Sequence, residues 1–240
     1  MIMRRKIVVL GAAALWLACG DRGAGSGKQE TGNAAAATAI ASDTAPTILF
    51  LGTSLTAGLG VDPEDAYPAV LRRRIDSLGL VFRIVNAGVS GETSAGGLRR
   101  IGWLLREPIA VLVVELGAND ALRGQDPSAT RRNLQAIIDS ARRRDPHAAI
   151  VLAGMQAPPN LGPVYGREFQ GLFVDLAREN RAVLVPFLLQ GVGGHPDLNQ
   201  ADGIHPTTAG HRIMADNVWR VLEPVLRTGR WDGGREKGEG

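Results

Sequence analysis

Cysteine is almost absent from this sequence: of 240 residues, only Cys19 is a cysteine. A single cysteine cannot form an internal disulfide, so the fold cannot depend on one. No group of His, Cys and Asp residues has the spacing of a metal site, and no metal or other cofactor is expected. No G-x-G-x-x-G segment follows a strand-like run, which argues against a dinucleotide site.

Aromatic residues are also scarce, at 5% of the chain, and the net charge is only +3. The arginine triplets at 72–74 and 142–144 both fall within predicted helices, where charged side chains usually form a solvated face. No basic segment alternates with aromatic residues. A nucleic-acid partner is therefore not expected.

The apolar run near the N-terminus is too short for an ordinary transmembrane helix, since it covers 12 residues, from Ile7 to Ala18. Arg4, Arg5 and Lys6 precede it. A charged segment followed by a short apolar one is typical of an export signal. We therefore predict a signal peptide over residues 1–18 and an exported protein.

Cys19 directly follows this segment, in Leu17-Ala18-Cys19-Gly20. The tetrapeptide resembles a bacterial lipobox, in which a peptidase cuts before the cysteine and the thiol is acylated, although Trp16 replaces the usual aliphatic residue. Acylation of Cys19 would tether the protein to the membrane, and this reading is favoured. The alternative, a plain secretory signal cut near Ala18, would give a soluble periplasmic protein.

The rest of the chain is predicted to consist of one domain, residues 47–227, between two irregular segments. Residues 19–46 are rich in Gly, Ala, Ser and Thr and indicate a flexible linker. Residues 228–240 are polar and Gly-rich, which is typical of a disordered tail. We see no internal repeat and no second domain, and a monomer is expected.

Strand-like and helix-like segments alternate within the domain. Short apolar runs predict five strands, at Thr47–Leu51, Val81–Val85, Ile109–Leu116, Ala148–Ala153 and Ala182–Val185. Apolar residues at helical spacing predict helices at Ala66–Leu78, Ser94–Leu105, Pro127–Arg144, Tyr165–Asn180 and Thr207–Leu226. This alternation implies right-handed crossovers. The predicted fold class is α/β, a three-layer α/β/α sandwich around a five-stranded parallel sheet.

Four short segments with chemically useful residues follow these strands. They are Gly52–Leu55 after the first strand, Asn86–Gly91 after the second, Gly117–Asp120 after the third, and Asp202–His205 in the loop after the fifth. In parallel sheets, ligands bind at the carboxyl ends of the strands. We therefore expect the four segments to meet in one site at one edge of the sheet.

The side chains in these segments are those of a serine hydrolase. Ser54 lies at a strand-to-helix turn, and serine is a good nucleophile only when a base removes its proton. His205 is the candidate base. Asp202 can accept a hydrogen bond from its Nδ1 and fix its tautomer. Ser54 alone would ordinarily be a turn residue and an Asp-x-x-His pair a capping motif, so it is their combination that predicts catalysis.

Hydrolysis of an ester also needs donors for the tetrahedral oxyanion. The Ser54 N–H, a glycine N–H in the segment 88–91 and the Asn119 side-chain amide are the candidates, although Asn119 alone would more often be a turn residue. His147 and His211 are expected to have surface or structural roles. His195 is a further candidate for lining the site.

At these segments the chain resembles the SGNH/GDSL hydrolase family, in particular its bacterial esterase branch. The resemblance covers about Thr47–Leu226 and implies the flavodoxin-like fold of that family. It implies Ser54, Asp202 and His205 as the catalytic residues, and Ser54, Gly91 and Asn119 as the oxyanion hole. Ser54 is not in a G-x-S-x-G turn, which argues against an α/β-hydrolase.

One residue departs from the family pattern. Thr53 stands where the family name implies aspartate, so the turn beside the nucleophile lacks the expected carboxylate. The resemblance does not make that aspartate a member of the catalytic triad. We therefore expect activity to be retained.

The resemblance further implies a shallow acyl-binding crevice, with Ala118, Ala157 and Pro158 as substrate contacts. Small apolar residues of this kind suit a fatty acyl or aryl chain. The predicted substrates are medium-chain acyl esters, aryl esters, acyl thioesters or lysophospholipids. A carbohydrate O-acetyl esterase of the same family and a catalytically silent, membrane-tethered binding protein are the alternatives.

Overall fold

The structure is a computed structural model that describes residues 45–229. Its sheet has five strands: β1 (Thr47–Gly52), β2 (Arg83–Gly88), β3 (Val111–Glu115), β4 (Ala149–Ala153) and β5 (Val183–Val185). They are arranged in the order β2-β1-β3-β4-β5, and every neighbouring pair is parallel. The predicted five-stranded parallel sheet is confirmed.

Helices connect the strands and cover both faces of the sheet. They are α1 (Ser54–Ala57), α2 (Tyr67–Ser77), α3 (Ser94–Leu104), α4 (Ala118–Leu122), α5 (Pro127–Arg144), α6 (Gly162–Glu179) and α7 (Thr208–Thr228). Short 3₁₀ helices lie at Pro63–Asp65, Pro159–Leu161 and Pro196–Leu198. Helices α2 and α7 pack together as one layer, and α3, α5 and α6 form the other. The α/β/α sandwich is therefore as predicted.

The two central strands β1 and β3 are buried over their whole length. Each has a strand neighbour on both sides and helices on both faces, so every side chain faces protein. This explains why their sequences are continuous apolar runs. The carboxyl ends of these strands are therefore held on a rigid base.

The edge strand β2 differs from its predicted position at Val81–Val85. Pairing with β1 runs from Arg83 opposite Thr47 to Gly88 opposite Gly52, whereas Val81 is 60% exposed. An edge strand is positioned by its single neighbour, so its apolar residues mark its bounds poorly. The short helices α1 and α4 were not predicted, because four or five residues cannot show a helical period.

The two ends of the chain are described only in part. The predicted signal peptide, Cys19 and nearly all of the predicted linker lie outside residues 45–229. Helix α7 continues through Thr228, two residues beyond its predicted end at Leu226, and Gly229 caps it in the left-handed conformation with φ of 59°. The remainder of the predicted tail lies outside the described residues. Within residues 45–229, no helix is long and apolar enough to cross a membrane.

Candidate active site

The turn after β1 places Ser54 as the first residue of α1. Thr53 is the N-cap, and its hydroxyl accepts a hydrogen bond from the Leu55 N–H at 3.3 Å. Gly58 ends the helix after one turn in the left-handed conformation, with φ of 78°, where a side chain would be strained. Ser54 is consequently held at the end of a central strand, and only 8% of it is exposed.

Three side chains form a continuous row of hydrogen bonds. Ser54 Oγ lies 2.9 Å from His205 Nε2, and His205 Nδ1 lies 2.6 Å from Asp202 Oδ2. Ser54 and His205 are 151 residues apart in sequence. The structure therefore brings together the three residues for which the sequence predicts catalytic roles, in the order nucleophile, base and acid.

The Asp202 carboxylate is held in its ionised form. The hydrogen bond from the His205 side chain, followed by bonds from the main-chain N–H groups of His205 and Ile204, lowers its pKa from 3.8 to about 2. Both main-chain bonds are 3.0 Å long. An ionised Asp202 favours the His205 tautomer with a proton on Nδ1, which leaves Nε2 to accept the serine proton.

The loop that carries His205 is fixed to its surroundings by main-chain contacts. Asn199 and Pro206 form an antiparallel bridge, and the Gln200 N–H donates to the His205 carbonyl at 2.7 Å. The Gln200 side chain donates to the carbonyls of Leu59 and Pro206 at 2.7 and 3.0 Å. Gln200 thus ties the histidine loop to the segment that follows the serine helix.

Two further predicted site residues line the same cleft as Ser54. Gly91 adopts the left-handed conformation, with φ of 77°, after β2. Asn119 lies in α4, after β3, and its Nδ2 donates to the Glu92 carbonyl at 3.0 Å. An amide nitrogen carries two hydrogens, so one remains for a ligand.

The cleft beside Ser54 has a volume of about 450 Å³. Ala118, Ala157 and Pro158, the expected substrate contacts, all line it. The apolar lining is completed by Leu55, Leu59, Leu122, Met155, Pro159, Leu189 and Ile204. Among the described residues that line it there is no Asp, Glu, Lys or Arg. The cleft therefore suits an uncharged chain.

The remaining histidines do not belong to this site. His195 and His147 are exposed, and neither lines the cleft, so the suggested role of His195 in the site is wrong. His211 is buried, and its Nδ1 accepts the Tyr67 N–H at 3.3 Å. Burial lowers the pKa of His211 to about 4, which keeps it neutral in a structural role.

A larger cavity, of about 550 Å³, lies near the starts of β4 and β5 at the opposite edge of the sheet. Its lining includes His147, Arg142 and Arg181, but no serine or cysteine among the residues described. The hydroxyl of Thr228, which also lines it, donates to main-chain carbonyls of its own helix. No hydrogen-bonded pair of nucleophile and base comparable to Ser54 and His205 is therefore formed by the described residues of this cavity. Nor do the described residues include a group of three or more His, Cys, Asp or Glu that could hold a metal ion.

A buried carboxylate that the sequence did not reveal lies directly beside the serine turn. Glu115, the last residue of β3, accepts the Thr53 N–H at 2.8 Å and hydroxyl hydrogen bonds from Thr53 and Thr56 at 3.0 and 2.8 Å. The expectation that Thr53 leaves this turn without a carboxylate is therefore wrong, because β3 supplies one. The signal for this carboxylate in the sequence is a glutamate at the end of an otherwise apolar strand.

Burial dominates the electrostatics of Glu115. It raises the pKa of the carboxyl from 4.5 to about 7, and the hydrogen bonds from Thr53 and Thr56 offset only part of this rise. Glu115 is 0% exposed, so solvent cannot screen it. The serine turn thus rests on a group that can change its charge near neutral pH.

Asp120 is a second buried carboxylate with a positioning role that the sequence did not reveal. It accepts the Ser94 N–H and hydroxyl at 2.8 and 2.5 Å, and the Thr130 hydroxyl at 3.3 Å. Ser94 begins α3, Thr130 lies in α5, and Asp120 itself lies in α4 next to Asn119. Asp120 therefore fixes three helices around Asn119, which lines the same cleft as Ser54.

The sequence model of the GDSL-like Lipase/Acylhydrolase family matches residues 50–213, which include every segment of this site. The chain belongs to the GDSL-like lipase/acylhydrolase family. The resemblance of the chain to the SGNH/GDSL hydrolase family is thereby confirmed. Because the matched range begins in β1 and ends in α7, the sheet and the whole cleft are those of a GDSL hydrolase.

Bacterial relatives match this chain over nearly their full length. Esterase TesA of Pseudomonas aeruginosa is 43% identical over 183 residues, 76% of this chain and 90% of TesA. Thioesterase 1/protease 1/lysophospholipase L1 of Escherichia coli is 37% identical over 184 residues, 76% of this chain and 86% of that protein. The crystal structure of TesA superposes with a TM-score of 0.72 at 43% identity, covering 75% of this chain and 99% of that one.

Proposed function

We propose that this GDSL hydrolase is a serine esterase that cleaves carboxylic esters or thioesters through an acyl-enzyme on Ser54. The observation that carries this proposal is the hydrogen-bonded row of Ser54, His205 and Asp202 beside an apolar cleft. At 2.9 Å, His205 Nε2 is close enough to take the Ser54 proton as the oxygen attacks a carbonyl carbon.

A described residue acts in each step of the proposed reaction. Attack by Ser54 Oγ gives a tetrahedral intermediate, whose oxyanion is stabilised by the Ser54 and Gly91 N–H groups and the Asn119 amide. The His205 imidazolium, stabilised by Asp202, then protonates the leaving alcohol or thiol. In the second half, His205 deprotonates a water that attacks the acyl-enzyme. The products are a carboxylic acid and free Ser54.

The proposed substrates are medium-chain acyl esters, aryl esters, acyl thioesters and lysophospholipids. Support comes from the uncharged lining of the cleft, where Ala118, Met155, Ala157 and Pro158 offer apolar contacts to an acyl or aryl chain. The names of the relatives point the same way. They include an esterase, a thioesterase/lysophospholipase and, at 35% identity over 76% of this chain, an arylesterase of Vibrio mimicus.

We also propose that the enzyme acts outside the inner membrane, where acylated Cys19 tethers it. This part of the proposal rests on the sequence of residues 1–20 alone.

Replacement of the proposed nucleophile is the direct test. Ser54→Ala is expected to lower kcat/KM for p-nitrophenyl octanoate by about 10³-fold or more, because the Ser54 hydroxyl is the one that is hydrogen-bonded to the base His205 among the described residues. Ser77→Ala, an exposed serine in α2, is the matched control and should leave turnover unchanged. A fluorophosphonate probe should label the control but not Ser54→Ala.

Two results would contradict this proposal. Full ester turnover by Ser54→Ala would exclude Ser54 as the nucleophile. A strong preference for acetylated sugars over octanoyl esters would instead favour a carbohydrate O-acetyl esterase over the acyl and aryl ester substrates proposed.

A further inference from the structure

The loop between β2 and α3, residues 89–93, carries Gly91 and is held by side chains on two sides. On one side, Arg123 Nη2 donates to the Gly91 carbonyl and Asn119 Nδ2 to the Glu92 carbonyl, both at 3.0 Å. Asn119 lies in α4, and Arg123 is the residue that caps its end. Two successive carbonyls of the loop are therefore bound to the same short helix.

On the other side, the Glu92 side chain is held by Arg100 of α3. Arg100 Nε lies 2.8 and 2.9 Å from the two carboxylate oxygens of Glu92, and its Nη2 also donates to Glu92 Oε2. Only 8% of the Glu92 side chain and 23% of the Arg100 side chain are exposed. Neither charge is well solvated, so each depends on the other.

Arg100 also connects this ion pair to the sheet. Its Nη2 donates to the Ala87 carbonyl in β2 at 2.6 Å and lies 3.5 Å from the Gly52 carbonyl at the end of β1. Gly52 is two residues before Ser54, and its carbonyl accepts the Val89 N–H of the loop at 2.9 Å. One guanidinium thus contacts the strand that leads into the serine turn and the loop that carries Gly91.

The packing around Glu92 leaves no room for it to move toward α3. A Cβ on Gly96 would lie 2.8 Å from Glu92 Cγ and 3.2 Å from Glu92 Oε1. Glycine at this position in the first turn of α3 makes the close approach possible. The carboxylate is therefore fixed both by its charge partner and by its packing.

We infer that Glu92 and Arg100 are positioning residues for the oxyanion hole. They fix the loop so that the Gly91 N–H, and the Asn119 amide bound to the Glu92 carbonyl, stand at a set distance from Ser54. Neither residue lines the cleft, so neither touches the substrate. Since oxyanion donors act on the transition state, loss of the pair lowers kcat and leaves KM nearly unchanged. The inference rests on the esterase function proposed above.

The test uses three variants of the full chain with p-nitrophenyl octanoate. Arg100→Gln is expected to lower kcat by about 10- to 100-fold, since small displacements of catalytic groups have effects of this size. Glu92→Gln, which keeps the shape of the side chain, should lower kcat in the same direction. Arg99→Gln removes an exposed arginine from the adjacent position of α3 and should leave kcat and KM unchanged.

A second measurement separates positioning from a general loss of structure. An alkyl boronic acid forms a tetrahedral adduct on serine, so its affinity reports on the oxyanion hole. The inhibition constant should rise in Arg100→Gln and Glu92→Gln by about the factor by which kcat falls. The double variant should lose little more than Arg100→Gln alone, because the two residues act as a pair.

The inference is overturned if either variant, still folded by thermal unfolding, keeps wild-type kcat and boronate affinity. It is equally overturned if only KM rises. Should Arg100→Gln fail to fold, the isosteric Glu92→Gln decides the result. Failure of the esterase proposal itself looks different, because the unmodified chain would then neither hydrolyse the ester nor bind the boronic acid.

Discussion

At the scale of single residues, the pair of Thr53 and Glu115 explains how the serine turn is built without an aspartate. The Thr53 hydroxyl lies 3.0 Å from both carboxylate oxygens of Glu115 and donates to them. An aspartate at position 53 would place a second carboxylate there, and two like charges at this distance cannot both stay ionised. Threonine instead donates a hydrogen bond to Glu115. No proton therefore has to be shared between two carboxylates at this turn.

Glu115 should make stability fall as the pH rises through the weakly acidic range. Its pKa is about 7 in the folded chain and about 4.5 in the unfolded chain, so the folded state binds more protons between these values. The unfolding free energy contributed by Glu115 is therefore fully present below pH 4.5 and is lost as the pH approaches 7. A shift of this size corresponds to about 3 kcal/mol.

Glu115→Gln removes this titration and is the variant to compare. Urea unfolding should be measured at intervals from pH 4.5 to 8. As the pH rises, the free energy of unfolding of the variant should increase relative to that of the wild type by up to about 3 kcal/mol. His211, with its pKa lowered to about 4, titrates in both proteins, so its effect cancels in the difference. A difference in unfolding free energy that does not change with pH would contradict the prediction.

Residue patterns predicted the catalytic row but not Glu115, which holds the serine turn in place. The reason is physical. Ser54, Gly91, Asn119 and His205 each follow a strand, and the parallel topology alone brings such positions to one edge. Glu115 matters through contacts with Thr53 and Thr56, which are 62 and 59 residues away in sequence. No local pattern encodes a contact of that kind. A charged residue in an otherwise buried strand is the nearest available signal.

At the scale of elements, the apolar pattern was most informative where packing against the core sets it. All five residues of the central strand β3 are buried, which explains the apolar run that predicted this strand. Helix α5 buries one face only, and the helical spacing of its apolar residues predicted its observed bounds, Pro127–Arg144. Edge strand β2 was misplaced, since pairing with β1 rather than burial sets its ends. Long-range pairing of this type cannot be read from one segment alone.

The end of β2 lies so close to α1 that a substitution which adds one methyl group tests the contact. A Cβ on Gly88 would lie 2.2 Å from the main-chain nitrogen of Ala57 and 2.7 Å from its Cα. Main-chain atoms cannot rotate away, so Gly88→Ala has to displace α1, and with it Ser54. We expect a loss of stability of about 1–3 kcal/mol together with a loss of esterase activity.

Gly102→Ala is the matched substitution, because a Cβ on Gly102 in α3 would meet nothing within 4 Å. Helix propensity should then raise stability by up to about 1 kcal/mol without a change in activity. Urea unfolding and ester turnover of the two variants provide the comparison. Equal effects of the two substitutions would show that the contact between β2 and α1 is not tight.

At the scale of the whole molecule, the proposed chemistry is confined to one edge of the sheet. Ser54, Gly91 and Asn119 follow β1, β2 and β3, and the His205 loop follows β5. The larger cavity at the opposite edge contains no serine or cysteine among its described residues. The chain enters the domain at Thr47, the first residue of β1, whereas Ser54 follows the other end of that strand. A tether at Cys19 is therefore expected to leave the groups of the active site unchanged. Anchoring and catalysis should be separable by substitution.

The proposed lipid anchor can be tested apart from the chemistry. When the full chain is expressed in a bacterium fed labelled palmitate, the wild type should incorporate label and Cys19→Ala should not, because Cys19 supplies the only thiol in the sequence and lipidation at a lipobox begins on that thiol. Ser54→Ala is the control and should incorporate label normally while losing ester turnover. Exchange of residues 1–19 for a plain secretory signal should move activity from the membrane to the soluble periplasmic fraction with kcat unchanged. A wild-type chain that is unlabelled and already soluble in the periplasm would exclude the anchor and favour simple secretion, with the esterase site unaffected.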